Sequence, residues 1–368
     1  MIGSIVGVGV FGLPYAFAQT GLAIGLLELL LIGALLVALQ LMFAEVVIQG
    51  DGDHRLVGYV RQFLGERFGS IAMLAMACSV WGAMTAYMIV GGKFFSYLLS
   101  PLFGGSESTY AIFVAIIAGF LIYRGLGFAS KLETVIVITL IFLFIFIILA
   151  SLPHIQIANL LIYRPENVFV PYGVILFSMA GLGVVPEMRD ILGEKHERKL
   201  GHAILIGMSV IVLLYIAFAT VIFGVTGLQT TQAAFDGLLP VLGTTAELVA
   251  SVLGALTILS IFMIVGIQLK HTFVYDYHVS KKTAWFAVMI VPVVLYLLGV
   301  RELIGLIGFV GSVFTGILGI FTVMTYLALR KTATCRKHTC ILFPIPLAWL
   351  IIGLFAGGTI LQIINVIY

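Results

Sequence analysis

"GSIVGVGVFGLP", residues 3–14, sets Gly3, Gly7, Gly9, Gly12 and Pro14 into a stretch that is otherwise almost wholly apolar. Glycine and proline are the poorest helix formers, and proline removes a backbone N–H as well. Inside hydrocarbon an unpaired N–H or C=O costs several kcal/mol, so an interrupted helix survives only where it lines a cavity or is buried in protein. The stretch reads either as close helix packing, with Gly3 and Gly7 forming an i, i+4 seam, or as an unwound segment that binds something.

The rest of the chain supplies the hydrocarbon setting. Of 368 residues, 62% are hydrophobic and 10% charged, against about 25% charged in soluble domains. Eleven apolar windows long enough for a bilayer core fall near 2–21, 23–48, 70–100, 109–124, 132–151, 168–188, 203–226, 241–269, 283–300, 303–329 and 341–367. With eleven spans, alternate connections hold 16 and 3 of the 19 lysines and arginines. The positive-inside rule then puts the N-terminus in the cytoplasm and the C-terminus outside. The expectation is an all-α membrane protein of eleven transmembrane helices in the plasma (inner) membrane, embedded in the lipid bilayer. A net charge of +3 gives no reason to invoke nucleic acid. The first window lacks the basic lead and cleavage site of a removed signal.

A second interruption gives the first its meaning. "VPYGVILFSMAGLGVVPEM", 170–188, carries Gly181, Gly183 and Pro186, and both Gly9–Pro14 and Gly181–Pro186 are five residues apart. These windows are the first and sixth, so the topology gives them opposite orientations. Paired Gly/Pro interruptions in corresponding helices of inverted halves point to a transporter's midplane site. The reading is a single transporter domain: a first five-helix repeat over 1–151, an inverted repeat over 168–330 and an extra helix over 341–367. A half-helix starting near Val10 would offer free N–H groups and a positive dipole end to a carboxylate. A half-helix ending near Phe177 and Ser178 would offer carbonyls to an ammonium. Both ends together suit a zwitterion, and an α-amino acid is the expected ligand.

At these residues the chain resembles the amino acid/auxin permease family, within the amino acid–polyamine–organocation superfamily, and most of all its bacterial aromatic and neutral amino acid permeases. "GSIVGVGVFGLPYAFAQTG" is similar to the family's first-helix signature and "YGVILFSMAGLGVVPEM" to its sixth, with weaker likenesses at "FAEVVI" (43–48) and "AYMIVGG" (86–92). The resemblance implies a leucine-transporter-like 5+5 inverted repeat with broken helices 1 and 6, working by alternating access. It implies that Val6, Gly7, Val8 and Gly9 hold the substrate carboxylate through backbone groups. Phe177, Ser178, Met179, Ala180 and Gly181 would face the ammonium and side chain, and Tyr87 would line the pocket. The family carries a longer lead-in. The six residues before Gly7 rise only ~9 Å as helix, so a stunted inner half-helix or an earlier start is expected.

The resemblance also implies a coupling ion, H+ or Na+, and no other cofactor. A sodium site would draw on the carbonyls of Gly3 and Val6 and on span-8 hydroxyls. In "LTILSIFMIVGI" (256–267) Ser260 matches one hydroxyl, Leu259 stands where many relatives have Thr or Ser, and Thr257 lies a turn back. For protons, Glu45 and Glu187 are ionisable groups at membrane depth, where such groups are functional candidates. Either instead reaches the interface or pairs with a basic neighbour such as Arg189. Glu28, Glu133 and Glu247 lie near span ends, where headgroup contact is expected.

Rival classes find little support. The seven histidines fall in loops or at span ends, and neither HExxH nor GxSxG occurs, so an enzyme is not expected. No charged ring or repeated pore loop suggests a channel. A transporter-like amino acid sensor without net transport would share the site and is the alternative. Locally, "HRLVGYVRQFLGERFG" (54–69) reads as an amphipathic helix lying on the inner leaflet. "TTQAAFDGLLP" (230–240) reads as an external cap. Cys78 reads as a buried small hydrophobe, and Cys335 and Cys340 as unmodified thiols beside a basic loop.

Overall fold

A computed structural model describes residues 1–50, 52, 54–232, 234, 239–332 and 342–367, without the side chains of 126–133, 194, 239–242, 245–247, 332 and 365–367. The first apolar window is divided into α1 (Ile2–Ile5) and α2 (Gly9–Thr20). Then come α3 (Leu22–Gln49), the short α4 (Leu56–Leu64), α5 (Glu66–Phe103), α6 (Glu107–Arg124) and α7 (Leu126–Ser151). The four-residue α8 (Ile157–Leu160) leads to α9 (Val170–Ser178) and α10 (Val185–Leu192), which share the sixth window. The chain continues through α11 (Leu200–Thr226), α12 (Leu239–His271), α13 (Lys281–Leu297), α14 (Leu303–Phe309), α15 (Gly316–Thr332) and α16 (Ile345–Ile367). Pi-helical turns follow α12, at Thr272–Asp276, and join α14 to α15, at Val310–Thr315.

Nine helical stretches among the described residues are long and apolar enough to cross a membrane. The two expected windows outside that set are the first, split into helices of 4 and 12 residues, and the ninth, where α13 has 17. The chain is an all-helical, multi-pass membrane protein.

The two interrupted windows meet at the centre. α2 packs on α9 and α11, α1 on α12, and α9 on the 310–315 turn. Phe11 anchors α2 in a ring cluster with Phe94, Phe144 and Phe218, at centroid separations of 5.4, 6.3 and 6.3 Å. The far end of α2 is tied to the loop before α9. Arg164 N–H donates to Thr20 O at 3.0 Å, and the Asn167 side chain donates to Gln19 O at 2.9 Å.

The equal Gly–Pro spacings do not produce equal structures. Pro186 stands in the first turn of α10, where a missing N–H costs nothing, whereas Pro14 lies in the interior of α2 and forfeits a helical bond. The amphipathic segment differs more. Helix α4 covers only Leu56–Leu64, and Gly65, at φ 95°, turns the chain directly into α5. Its apolar face does not lie on lipid: Leu56, Val57, Tyr59 and Val60 are buried against α5, α15 and the 272–276 turn. Protein competes for that face because α5 starts at Glu66 and holds α4 under the bundle. Cys78 is only half-buried, while Cys335 and Cys340 lie outside the described residues, as do 233 and 235–238 of the expected external cap.

Candidate substrate site

Helix α1 stops because Val6 turns extended, at φ −71° and ψ 97°. Helix α2 begins three residues beyond it at Gly9, with Val10 and Phe11 N–H already bonded back to Gly7 O and Val8 O. The N–H groups of Gly7, Val8 and Gly9 therefore have no backbone acceptor among the described residues, as expected at a helix start. The second interruption opens at Met179 (φ −108°, ψ 7°), continues through Gly181 (φ −148°, ψ 13°) and closes in a 3-10 turn, Leu182–Val184, before α10.

The two interruptions touch. A Cβ placed on Gly9 would stand 2.6 Å from Ser178 Cα, and one on Gly181 would stand 2.5 Å from Ile5 Cδ1 and 2.9 Å from Gln40 Nε2. Only glycine allows that approach. Beside this contact lies a cavity offering about 90 Å³ to the centres of water-sized molecules. Gly7, Gly9, Phe177, Ser178, Ala180, Gly181 and Tyr87 border it, joined by Ser4, Ser79, Gln268 and Thr315. Tyr87 leans on Phe262 at a centroid separation of 6.0 Å, and Val80, Ala83 and Ile261 complete an apolar wall. The cavity runs towards Leu56 of α4. A narrow gap sharing Leu56, Met76, Gly183 and Gln268 with it carries on to Arg55, Glu187 and Thr272. Away from the residues that line the cavity, Gly173 of α9 lies backbone to backbone on Gly308 and Gly311.

Three of the expected site residues are not among the described residues lining the cavity, though Val6 and Val8 are expected to act through backbone groups and not side chains. Met179 is fully buried with its Cε 3.2 Å from the Cβ position of Gly33, so it packs on α3 and not into the cavity. Val6 borders a separate small gap with Gly3, Leu140 and Phe144. Val8 is fully buried and is not among the described residues lining the cavity. Unwound backbone has no period, so the sequence does not fix which way such side chains point.

The ion candidates divide. Thr257 Oγ1 donates to Leu253 O at 2.8 Å, within its own helix. Ser260 Oγ is buried with no hydrogen-bond partner among the described residues, one position before the Ile261 side chain that meets Gly7. Gly3 and Val6 face the α7 side. Glu45 is buried, accepts from the Gln49 amide at 3.1 Å, and borders a second cavity with Arg198 and His202. Glu187 is buried with its carboxylate 3.7 Å from His271 Nδ1. Both carboxylate oxygens of Glu28 are buried without a hydrogen-bond partner among the described residues.

Sequence reasoning missed Gln268, Gln40 and Tyr215. The two glutamines carried a usable signal, each an amide inside an apolar run at membrane depth. Gln40 is 1% exposed, and neither atom of its amide has a partner among the described residues.

Known proteins match this architecture. The structure of MhsT in complex with L-phenylalanine aligns over 99% of this chain and 95% of its own, at 13% identity and a TM-score of 0.67. That of Mhp1, a nucleobase-cation-symport-1 family transporter in a closed conformation with bromovinylhydantoin bound, aligns over 98% and 89%, at 13% identity and 0.70. At such identities they establish a shared leucine-transporter-like fold. In sequence, tyrosine-specific transport system 1 of Haemophilus influenzae is 24% identical over 216 residues, 58% of this chain. The match spans about half the length of that curated relative, 53%. A family description, tryptophan/tyrosine permease, fits residues 1–363, and on that match the chain belongs to the tryptophan/tyrosine permease family.

Proposed function

We propose that the protein carries aromatic amino acids of the tyrosine and tryptophan class across the inner membrane by alternating access. Membership of a permease family makes it a transporter and not an enzyme. The observation that carries the reading is the contact between the two helix interruptions beside a cavity with an apolar wall. The N–H groups of Gly7, Val8 and Gly9, without a backbone acceptor among the described residues, face a substrate carboxylate, the carboxyl-terminal end of α9 its ammonium, and Tyr87 and Phe177 its ring. Eleven spans, an inverted repeat of 1–151 on 168–330, and broken helices 1 and 6 belong to this proposal, as does the wider amino acid/auxin permease kinship. So does a cytoplasmic N-terminus. With that orientation the cavity faces the cytoplasm through the Arg55 gap.

Coupling is to H+ or Na+, with no other cofactor. Of the two span-8 hydroxyls, sodium finds Ser260 buried and without a hydrogen-bond partner among the described residues, while Thr257 is bonded within its own helix, a sparse set for a hard cation. The Glu187–His271 pair beside the gap favours protons. The test is uptake of labelled tyrosine, tryptophan, phenylalanine, leucine and glutamate into proteoliposomes, with sodium and pH gradients varied separately. Concentrative uptake of the aromatic members alone is expected. Saturable binding without flux would replace the transporter with a sensor, and preference for a non-aromatic substrate would overturn the specificity. Glu187→Gln is expected to flatten the pH dependence of uptake while leaving tyrosine binding within about threefold of wild type, a shift below 1 kcal/mol. An unchanged pH profile would remove Glu187 from coupling.

A further inference from the structure

In an unbroken helix Ile5 O would accept from Gly9 N–H, and Ser178 O from Leu182 N–H. Because α1 ends at Ile5 and α9 at Ser178, each interruption orphans the last carbonyl of its first half. One side chain reaches both. Tyr215, fully buried on α11, has its hydroxyl 2.9 Å from Ser178 O and 3.4 Å from Ile5 O. We propose that Tyr215 is a positioning residue that ties the two interruptions together, its single hydroxyl proton serving one carbonyl or the other.

A phenol has one proton to donate, so the two carbonyls compete for it. In this structure the shorter contact is to Ser178 O, with Ile5 O at the limit of hydrogen-bond distance. A displacement of a few tenths of an ångström between α1 and α9 exchanges the preferred acceptor. Whichever carbonyl is released keeps its negative end for a cation, so occupancy at one interruption is felt at the other. Tyr215 is not among the described residues that border the cavity, and a solute there meets the peptides it holds, not the ring. Gln40, against Gly181, has its amide without a partner among the described residues and offers this corner no substitute bond to the two carbonyls.

This rests on the proposed transport function, so the experiment has one readout that needs transport and one that does not. In proteoliposomes, Tyr215→Phe is expected to lower the maximal rate of tyrosine uptake at least tenfold, with tyrosine affinity changed less than about threefold. By hydrogen–deuterium exchange without substrate, peptides covering 5–9 and 178–182 are both expected to exchange faster in the variant, the middle of α11 staying as in wild type. Placing p-aminophenylalanine, which keeps a donor on a similar ring, at position 215 is expected to restore the rate and the protection in large part. Unchanged exchange at either interruption overturns the proposal, as does an equal loss of affinity and rate. If the wild type takes up no amino acid, the functional reading falls while exchange still decides the role of Tyr215. If Tyr215→Phe yields no folded protein, the p-aminophenylalanine protein decides. Its aniline keeps a donor on the same ring, so protection near wild type at both interruptions supports the tie and exchange raised at both refutes it.

Discussion

Gly9→Leu is expected to abolish uptake, and Gly9→Ala to lower it at least tenfold, in protein that still inserts and folds. The Cβ of alanine at this position would lie 2.6 Å from Ser178 Cα, closer than carbon atoms approach, and what it meets is backbone. A flexible side-chain tip swings aside; a main chain inside a packed bundle moves only by separating α2 from α9. Overpacking of this kind costs about 1–3 kcal/mol in a close-packed interior. The functional loss is larger, because the opening N–H groups of α2 would no longer stand against the end of α9. Gly12→Ala is the internal control. It lies in the same helix, but its Cβ would meet the Cδ1 of Ile307 at 3.0 Å and that of Ile304 at 3.3 Å, both the ends of flexible side chains. That variant is expected to transport within about threefold of wild type, a change below 1 kcal/mol. Proteoliposome uptake paired with thermal melting in detergent measures both effects. Equal activity of Gly9→Ala and Gly12→Ala would mean that the contact between the interruptions is not where function resides.

That contact was half legible beforehand. Gly7, Gly9, Gly181 and Gly183 announce irregular backbone because their helix cost in hydrocarbon needs a reason, and they located both interruptions to within a residue or two. What they could not supply is direction. Val6, Val8 and Met179 sit in the same segments as Gly7, Gly9 and Phe177, yet only the latter three line the cavity. Between helices there is no 3.6-residue period to carry a facing from one residue to the next. Tyr215 was invisible for another reason. A tyrosine in an apolar span has ordinary packing as its default, and its distinction lies in two carbonyls contributed by residues 37 and 210 positions away. The face of α4 was misplaced by the same non-local logic. Its amphipathicity is real, but whether lipid or protein covers the apolar side depends on how α5 and α15 fold over it.

The floor of the cavity yields the other large effect, through Asp276. The pi-helical turn after α12 widens the helix and carries Asp276 beneath the start of α4. The residue preceding α4, Arg55, gives that helix no side-chain cap of its own. Asp276 supplies it from across the fold: its carboxylate accepts from Gly58 N–H at 3.1 Å and from Arg55 N–H at 3.4 Å, with no side-chain exposure. The negative charge also complements the positive end of α4. Arg61 donates to the Asp276 carbonyl at 2.8 Å, and the Arg55 guanidinium reaches Asp190 of α10 at 2.9 Å. Helix α4 is thus pinned to the 272–276 turn and to α10 while its Leu56 borders the cavity. Asp276→Ala leaves buried N–H groups without an acceptor, and each charge-assisted bond lost contributes about 1.5–3 kcal/mol. The variant is expected to melt several degrees lower and to exchange amide hydrogens at least tenfold faster over 55–64. The 5–9 segment should stay within about twofold of wild type, since a local opening need not spread beyond its own cooperative unit. Asp276→Asn, which keeps one acceptor oxygen, should fall between the two. Wild-type exchange over α4 in Asp276→Ala would show that packing of Leu56, Val57, Tyr59 and Val60 holds the helix without the carboxylate.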